Sequence, residues 1–431
     1  MPAGSPSRWT PASFICRDNA LQDEFEKNYK KIVKYRLYEK NFHTHSCIAG
    51  KCVIIFCNCS VPLQFYFFII YSRRRAGWRR GGIMTEPISE EMSPLWYIYN
   101  DGFPDFLAEL LEAEELQRLK KVGMHCGCEY SSFPLFRFSS PYTRWIHSVG
   151  AGLIVWHFTF DVKQSIAGLL HDIATPVFAH VVDFMKGDHL KQESTEEYTH
   201  KLIEESEGIQ KVLHKYGLST EDVADYHRYP IADNDSPGLS ADRLEYTLGN
   251  FYCREKKSPG EIRRIYRNLT TVLNEEGIPE LAFTSSEEAL TFTLGSLDNS
   301  RMFTADEDRF CMQYLADLLR KAVEWGILSE SDLYTTEEQV LDKLLQDERT
   351  AGLWKEYTCF SQIRSSAEPV EGIYCVNVPS KLRYIDPLVV QEGIPVRISK
   401  ICTKAAEAVR EYLHTDFDRW ISVSGEQECK Q

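Results

Sequence analysis

Four residues of the types that bind metal ions follow one another in a suggestive order along this chain. His147 lies in the sequence Arg-Trp-Ile-His-Ser-Val-Gly, the pair His171-Asp172 follows two leucines, and Asp242 lies in Ser-Ala-Asp-Arg-Leu-Glu-Tyr. Two imidazoles and two carboxylates can hold one divalent cation and leave coordination positions open for water and a phosphate oxygen. The residue types and their order therefore predict a metal-dependent hydrolase.

The pair His171-Asp172 is predicted to lie at or near the end of a helix, because Pro176 disfavours helix at the residue before it. Adjacent residues in mid-helix point about 100° apart, whereas at a helix end an imidazole and a carboxylate can both turn toward one ion. An acid that follows two leucines is also costly to bury without a cation or hydrogen bonds. The position of the pair favours a metal site.

Helical spacing of apolar residues predicts most of the elements that must position these side chains. Helices are predicted over 106–121, 142–157, 162–172, 177–186, 194–215, 240–254, 259–275, 305–325, 336–347 and 403–414. After Pro369, short strands are predicted over 373–378, 382–385 and 396–401. The predicted fold class is mainly α, an all-helical core with a small mixed α/β C-terminal region.

Charge is distributed unevenly along the 431 residues. The formal net charge is −14, yet residues 1–83 carry 14 basic against 5 acidic side chains, which leaves 35 against 58 for the rest. This asymmetry predicts a basic leader over 1–83, a helical core over 84–350 and an α/β appendage over 351–431. The acidic balance argues against a nucleic-acid partner. Thirteen cysteines without a regular spacing are predicted to be reduced intracellular thiols.

The leader contains an uncharged segment, 52–71, followed by five arginines between 73 and 80. On length alone it could just span a bilayer, although Asn58, Pro62 and Gln64 interrupt it. The sequence from Met84 onward is typical of a soluble N terminus, which favours a poorly ordered or non-native leader before the functional start. A membrane segment stays open as the alternative. Both interpretations predict that the rest of the chain is cytoplasmic.

The stretch from about 105 to 420 resembles the HD-domain metal-dependent phosphohydrolases. The segments that carry the resemblance are Tyr-Thr-Arg-Trp-Ile-His147-Ser-Val-Gly-Ala-Gly, Gly-Leu-Leu-His171-Asp172-Ile-Ala-Thr-Pro-Val-Phe-Ala-His180 and Leu-Ser-Ala-Asp242-Arg-Leu-Glu-Tyr. Within this superfamily the chain is most similar to the branch with the deoxynucleoside triphosphate triphosphohydrolases, of both the bacterial and the sterile-alpha-motif/HD types. The resemblance covers about three quarters of the chain and excludes the leader.

The resemblance assigns roles by position. It implies that His147, His171, Asp172 and Asp242 bind the metal. It also implies substrate contacts, with Arg144 and Arg243 at the phosphates, Tyr246 beside the sugar or base, and Asn250 where the family has the acid that holds the sugar 3′-hydroxyl.

Proton transfer needs a further group near the metal. His180 and Asp183 are three residues apart on a predicted helix and so share a face. We expect His180 to contact the phosphate or to assist proton transfer, with Asp183 orienting it. The alternative for Asp183 is an acid on the helix surface.

Two more positions depart from the family pattern. Thr175 stands where the triphosphohydrolases usually have a second histidine, and Lys191-Gln192-Glu193 replaces a histidine–glutamate pair. Metal binding is therefore expected to be intact, whereas the residues that transfer protons are expected to be altered. Glu193 is a candidate substitute base, or else a solvated residue at a helix start.

The expected function is hydrolysis of a phosphoester or phosphoanhydride in a nucleotide. Release of triphosphate from a deoxynucleoside triphosphate is the leading reaction, and the alternatives are a nucleotide phosphomonoesterase or a non-catalytic metal-containing module that senses a nucleotide. The expected cofactor is one divalent ion, Mn²⁺, Fe²⁺, Mg²⁺ or Zn²⁺. The expected partner is a small nucleotide, with no membrane unless segment 52–71 is a span. Because related enzymes often assemble as dimers or tetramers, the resemblance also suggests a homo-oligomer.

Overall fold

The structure is a computed structural model, and it describes residues 94–187 and 198–423 together with three strands nearer the N terminus. The chain forms two compact units, Met1–Thr85 and Glu86–Gln431. Most of the predicted leader lies outside the described residues. No helix in the described part of the chain is long and apolar enough to cross a membrane.

The first unit contains an antiparallel sheet of three strands in sequence order, β1 (Thr44–Ala49), β2 (Cys52–Cys57) and β3 (Phe67–Ile70). Strands β2 and β3 fall inside the segment 52–71, and residues 58–66 between them lie outside the described part.

The second unit is built mainly from helices, which confirms the predicted class. Its helices are α1 (Trp96–Tyr99), α2 (Asp105–Leu110), α3 (Glu114–Arg118), α4 (Arg144–Thr159), α5 (Val162–Leu170), α6 (Val181–Lys186), α7 (Thr199–Glu205), α8 (Glu207–Tyr216), α9 (Thr220–Val223), α10 (Ala241–Cys253), α11 (Pro259–Arg267), α12 (Ser286–Met302), α13 (Asp306–Glu324), α14 (Glu337–Gln346), α15 (Glu348–Cys359), α16 (Ile398–Ile401) and α17 (Thr403–Leu413). Its strands are β4 (Leu269–Leu273), β5 (Pro279–Phe283), β6 (Ile363–Ser366), β7 (Leu388–Gln391), β8 (Ile394–Arg397) and β9 (Trp420–Val423).

The core is not all-helical, because the second half of the predicted helix 259–275 is strand β4. Helix α11 ends at Arg267, and the β-branched run Thr-Thr-Val that follows favours an extended chain. A turn then reverses the chain, held by the Asn274 side chain, whose Oδ1 accepts from the backbone N–H groups of Glu276 and Ile278. Strand β5 returns antiparallel to β4.

The C-terminal strands also differ from the prediction. Strand β7 lies parallel to β5, with Ala282 opposite Leu388, and completes a sheet in the order β4-β5-β7-β8. Residues 382–385 are not a strand, because their apolar side chains pack against helices α12 and α17 while their backbone joins no sheet. In 373–378, Val376 makes only an isolated bridge to Ile421. The predicted strand 396–401 covers the end of β8 and then helix α16.

Six described cysteines are free thiols, but Cys359 takes part in a disulfide, so the prediction of reduced thiols is wrong at that residue.

Helices α4, α5 and α10 form the part of the core that positions the candidate metal ligands. Helices α4 and α5 approach closely at two glycines: a Cβ on Gly152 would lie 3.1 Å from the Leu169 side chain, and a Cβ on Gly168 would lie 3.0 Å from that of Val155. Helix α10 is capped at its N terminus by Ser240, whose hydroxyl accepts from the backbone N–H of Arg243. The three helices therefore bring their ends to one place.

Candidate metal centre

Three of the four predicted metal ligands converge from three different helices. His147 lies in the first turn of α4, His171 caps the C-terminal end of α5, and Asp242 is the second residue of α10. Asp242 Oδ1 is 3.0 Å from His147 Nε2 and 3.6 Å from His171 Nε2. The two Nε2 atoms are 3.1 Å apart. These donor atoms lie close enough together to hold one ion.

Asp172 lies at the edge of this group. Its Oδ2 is 3.8 Å from His147 Nε2 and 3.7 Å from His171 Nε2. The same oxygen accepts a hydrogen bond from Arg144 Nη1 at 2.8 Å, and Oδ1 accepts from Thr175 Oγ1 at 2.9 Å. Asp172 therefore shares its carboxylate between the donor group and two side chains that orient it.

Glu245 is the residue of this centre that sequence reasoning missed. Its carboxylate is fully buried and accepts hydrogen bonds from His147 Nδ1 at 2.7 Å and from the Tyr142 hydroxyl at 2.5 Å. The Tyr99 hydroxyl adds a longer bond of 3.3 Å. Because the carboxylate can only accept, His147 carries its proton on Nδ1 and presents Nε2 to the other donors. The spacing of Asp242 and Glu245, three residues apart on one helix, was the available signal.

The turn that follows α5 is held by a second residue that the sequence did not single out. Arg118 donates through Nη2 to the carbonyl oxygens of Ile173, at 2.9 Å, and Thr175, at 2.8 Å. His171 Nδ1 lies 2.7 Å from the carbonyl oxygen of Gly168, so this imidazole also presents Nε2. The backbone beside the donors is thereby fixed from both sides.

The charges of the centre favour a bound cation. Burial by itself lowers the pKa of His147, but hydrogen bonds to Asp242 and Glu245 outweigh it and raise the pKa to about 10. For His171, burial is likewise outweighed by Asp172 and Asp242, and the pKa is raised. The carboxylates of the centre thus stabilise positive charge on the two imidazoles. A divalent ion bound to neutral imidazoles would supply that positive charge in place of protons. The donor set fits such an ion.

His180 and Asp183 form a hydrogen-bonded pair at the start of α6. Phe178 and Ala179 have φ values of 60° and 43°, in the left-handed region, and this turn delivers His180 to the N-cap of α6. His180 Nδ1 is 2.9 Å from Asp183 Oδ2, and Asp183 is fully buried. The alternative of a helix-surface acid is therefore wrong. The pKa of His180 is lowered. Burial is the main cause, and the hydrogen bond to Asp183 opposes it. Glu193, the candidate base, lies outside the described residues.

Two predicted substrate contacts are engaged within the protein. Arg243 Nη1 donates to Asn234 Oδ1 at 2.7 Å and to the carbonyl oxygen of Gly238 at 3.2 Å. Asn250 is almost fully buried; its Oδ1 is 3.1 Å from His125 Nε2, and its Nδ2 donates to the carbonyl oxygen of Tyr246.

Tyr246 itself is half-buried, and its ring centroid lies 6.5 Å from that of Phe303. Arg144 is buried and contacts Asp172. Arg144, Arg243 and Asn250 therefore all have side-chain hydrogen bonds within the protein.

No protein-family model matches the chain. Over 301 residues it is 27% identical to the uncharacterized protein YdhJ of Bacillus subtilis, which covers 69% of this chain and 88% of that protein. Over 163 residues it is 26% identical to the metal-dependent phosphohydrolase cns2 of Cordyceps militaris, covering 38% of this chain and 45% of that protein. It is also 26% identical over 173 residues to an uncharacterized protein of Methanocaldococcus jannaschii, covering 38% and 34%. Together with the His-His-Asp group, these similarities support an HD-type metal-dependent phosphohydrolase.

Proposed function

We propose that this protein is a metal-dependent phosphohydrolase that acts on a nucleotide and releases triphosphate from a deoxynucleoside triphosphate. The observation that carries the proposal is the meeting of His147, His171 and Asp242 at one point, with Asp242 Oδ1 within 3.6 Å of both imidazoles. His180, hydrogen-bonded to the buried Asp183, is the imidazole that we propose to transfer protons there. Metal donors combined with an imidazole that can transfer protons suit phosphoester hydrolysis.

His147, His171, Asp172 and Asp242 are the residues that would hold the ion, which we propose to be one of Mn²⁺, Fe²⁺, Mg²⁺ and Zn²⁺. When bound, a divalent ion in such a site polarises a phosphate ester and acidifies a water molecule.

The protein's own side chains orient this chemistry. Glu245 keeps the Nδ1 proton of His147 in place, so that the Nε2 lone pair points to the donor group. Asp183 does the same for His180, whose Nε2 is then the atom that can accept or donate a proton at the substrate. Because burial lowers the pKa of His180, its neutral form prevails at neutral pH, as a proton acceptor requires.

Asn250 favours a second candidate, a nucleotide phosphomonoesterase. Its amide is buried against His125 and the backbone of Tyr246, so the place of the acid that would hold a sugar 3′-hydroxyl carries a neutral and occupied side chain. An enzyme that recognises the sugar less closely can remove a terminal phosphate instead. In both reactions Glu193 is proposed as an additional base.

The deciding experiment incubates the protein with a panel of ribo- and deoxyribonucleotides and Mn²⁺, and identifies the products by mass spectrometry. We expect deoxynucleoside plus triphosphate, with stepwise loss of phosphate as the outcome that selects the second candidate. Asp242→Ala should abolish release, and Asp101→Asn, at an exposed acid, is the control that should leave it unchanged.

Metal-independent release, or no release from any nucleotide, would overturn the enzymatic proposal. In the second case, nucleotide binding without turnover would select the non-catalytic sensing module. Glu193→Gln tests the proposed base, and a normal rate in that variant would remove Glu193 from the mechanism. A homo-oligomeric assembly and a cytoplasmic location stay predictions.

A further inference from the structure

The arginines expected to bind phosphate are already committed to protein partners. Arg144 Nη1 donates to Asp172 at 2.8 Å, and Arg243 Nη1 donates to Asn234 and to the backbone of Gly238. A nucleotide phosphate chain carries several negative charges, and guanidinium groups are the side chains best suited to receive them. A phosphorylated ligand would therefore need another cation that faces the centre.

The segment 379–386 is held to neighbouring parts of the second unit near both of its ends. At its start, the Ser380 hydroxyl donates to the carbonyl oxygen of Phe303, at 3.4 Å, and the Phe303 ring packs beside Tyr246. This contact ties the segment to the wall that carries Tyr246.

The other end of the segment is tied to the loop that holds Arg243. The Ser236 hydroxyl donates to the carbonyl oxygen of Tyr384 at 3.2 Å, and the backbone N–H of Asp386 donates to the carbonyl oxygen of Pro237 at 2.9 Å. The next residue of that loop, Gly238, accepts from Arg243. The segment is thus fixed on both sides of Arg383, between two structures that flank the centre.

The side chain of Arg383 is exposed although its neighbours face the interior. Leu382 and Tyr384 pack against an apolar cluster on α12 and α17. Within residues 94–187 and 198–423, no carboxylate lies within ion-pair distance of the Arg383 guanidinium. Its charge is therefore available to a ligand.

The charge of Arg383 acts on two residues predicted for the site, His180 and Tyr246. Burial is the main cause that lowers the pKa of His180, and Arg383 and Arg144 lower it further. Burial raises the pKa of Tyr246 to about 12, and Arg243 and Arg383 oppose that rise. These electrostatic effects agree with the hydrogen bonds that hold the segment beside the Phe303–Tyr246 contact and beside the loop that binds Arg243.

We propose that Arg383 is a substrate-binding residue of this centre, which receives a phosphate group of the nucleotide between His180 and Tyr246. The inference rests on the proposed function for its choice of a phosphorylated ligand. It adds a cation from the C-terminal region to a site whose other residues come from the helices before Cys253.

Binding of inorganic triphosphate tests the inference without any turnover. Titration calorimetry in the presence of Mn²⁺ would compare the wild type with Arg383→Ala, Arg383→Lys and Arg263→Ala. Loss of a charge-assisted contact predicts about 10- to 100-fold weaker binding for Arg383→Ala, with partial recovery in Arg383→Lys. Arg263 is an exposed arginine on α11, so its variant loses the same charge and should bind as the wild type does.

Equal triphosphate binding by Arg383→Ala and the wild type would overturn the inference, as would a wild type that binds no triphosphate. Because the side chain is exposed, an unchanged thermal unfolding midpoint would show that the variant folds. Nucleotide hydrolysis then separates the two proposals. If the wild type hydrolyses nucleotides, Arg383→Ala should raise KM much more than it lowers kcat. If the wild type hydrolyses none while triphosphate binding still depends on Arg383, the inference stands and the proposed reaction fails.

Discussion

Glu245 and Glu129 are two glutamates of the same unit that lie in opposite surroundings, Glu245 fully buried and Glu129 partly buried. Glu245 accepts hydrogen bonds from His147 and from the hydroxyl groups of Tyr142 and Tyr99. Glu129 lines a cavity of about 700 Å³. Burial first, and then the negative charge of Glu337, raises the pKa of Glu129 to about 7.

The difference shows that partners, and not burial alone, decide what a buried acid does. Donors on three sides let Glu245 serve as the support of a metal ligand. Burial, with a second carboxylate nearby, makes Glu129 a group that holds a proton near neutral pH. Backbone hydrogen bonds around Glu129 favour its charged form, but burial and the charge of Glu337 outweigh them. The surroundings of Glu245 supply hydrogen-bond donors to a carboxylate, whereas those of Glu129 disfavour a negative charge.

The largest effect is expected from Glu245→Ala. Loss of the partner of His147 should weaken Mn²⁺ binding by about 10- to 100-fold. It should also lower the free energy of unfolding by about 3–5 kcal/mol, because buried polar groups lose their acceptor. Calorimetric titration and urea unfolding measure the two quantities. Glu287→Ala, at an exposed glutamate on α12, is the control, and Mn²⁺ affinity in Glu245→Ala within twofold of that control would break the comparison.

Glu129→Gln should raise the free energy of unfolding at neutral and higher pH, whereas Glu245→Ala lowers it. The folded-state pKa of Glu129 lies above its ordinary value of 4.5, so the folded state binds its proton more tightly than the unfolded state does. The stability due to this group is present below pH 4.5 and is lost as the pH rises through about 7. At about 1.4 kcal/mol per pKa unit, the loss amounts to about 3 kcal/mol.

Urea unfolding between pH 4.5 and 8 measures this effect. The wild type should lose stability over that interval through Glu129, and the glutamine variant should gain on the wild type by up to about 3 kcal/mol at pH 8. Parallel stability curves for the two proteins would show that Glu129 does not hold its proton in the folded state.

Gly150→Ala sharpens the comparison by disturbing Glu245 without removing it. An added Cβ would lie 2.6 Å from the Glu245 side chain, so that side chain must shift and its hydrogen bond to His147 is disturbed. We expect a loss of about 1–3 kcal/mol in unfolding free energy, as overpacking commonly costs. Gly352→Ala on α15 meets no atom within 4 Å and should instead be neutral or stabilising. Similar thermal unfolding midpoints for the two variants would contradict the tight contact.

Thr175→Val should give the smallest effect. The variant removes the hydrogen bond to Asp172 Oδ1 but keeps that of Arg144 to Oδ2. One hydrogen bond is worth about 1 kcal/mol, so kcat/KM should fall about fivefold. Thr175→Ser keeps the hydroxyl and is the matched control. A loss as large as that of Asp242→Ala would mean that Thr175 takes a direct part in the reaction.

The metal donors could be predicted from the sequence because each lies at a helix end that local signals mark. Pro176 indicates the end of α5, and Ser240 caps α10 just before Asp242. Glu245 could have been found in the same way from its spacing on α10. The buried environment that gives it three donors depends on Tyr142 and Tyr99, which come from distant segments.

The sheet and the arginine contacts could not be predicted from local patterns. Strand β5 pairs with β7 across more than a hundred intervening residues, so no local periodicity reports it. The partners of Arg243 are set by the turn that carries Asn234 and Gly238. Arg383 looks like any solvated arginine until the segment on either side of it is seen to be fixed.

The close approach of α4 and α5 at Gly152 and Gly168 has a consequence for ion choice. The separation between the two imidazole nitrogens depends on how near the helix backbones come at these two glycines, neither of which supplies a side-chain donor to the ion. A single methyl group there would widen the gap while leaving the donor chemistry intact. Preference among cations of different radius can therefore be retuned from outside the coordination sphere.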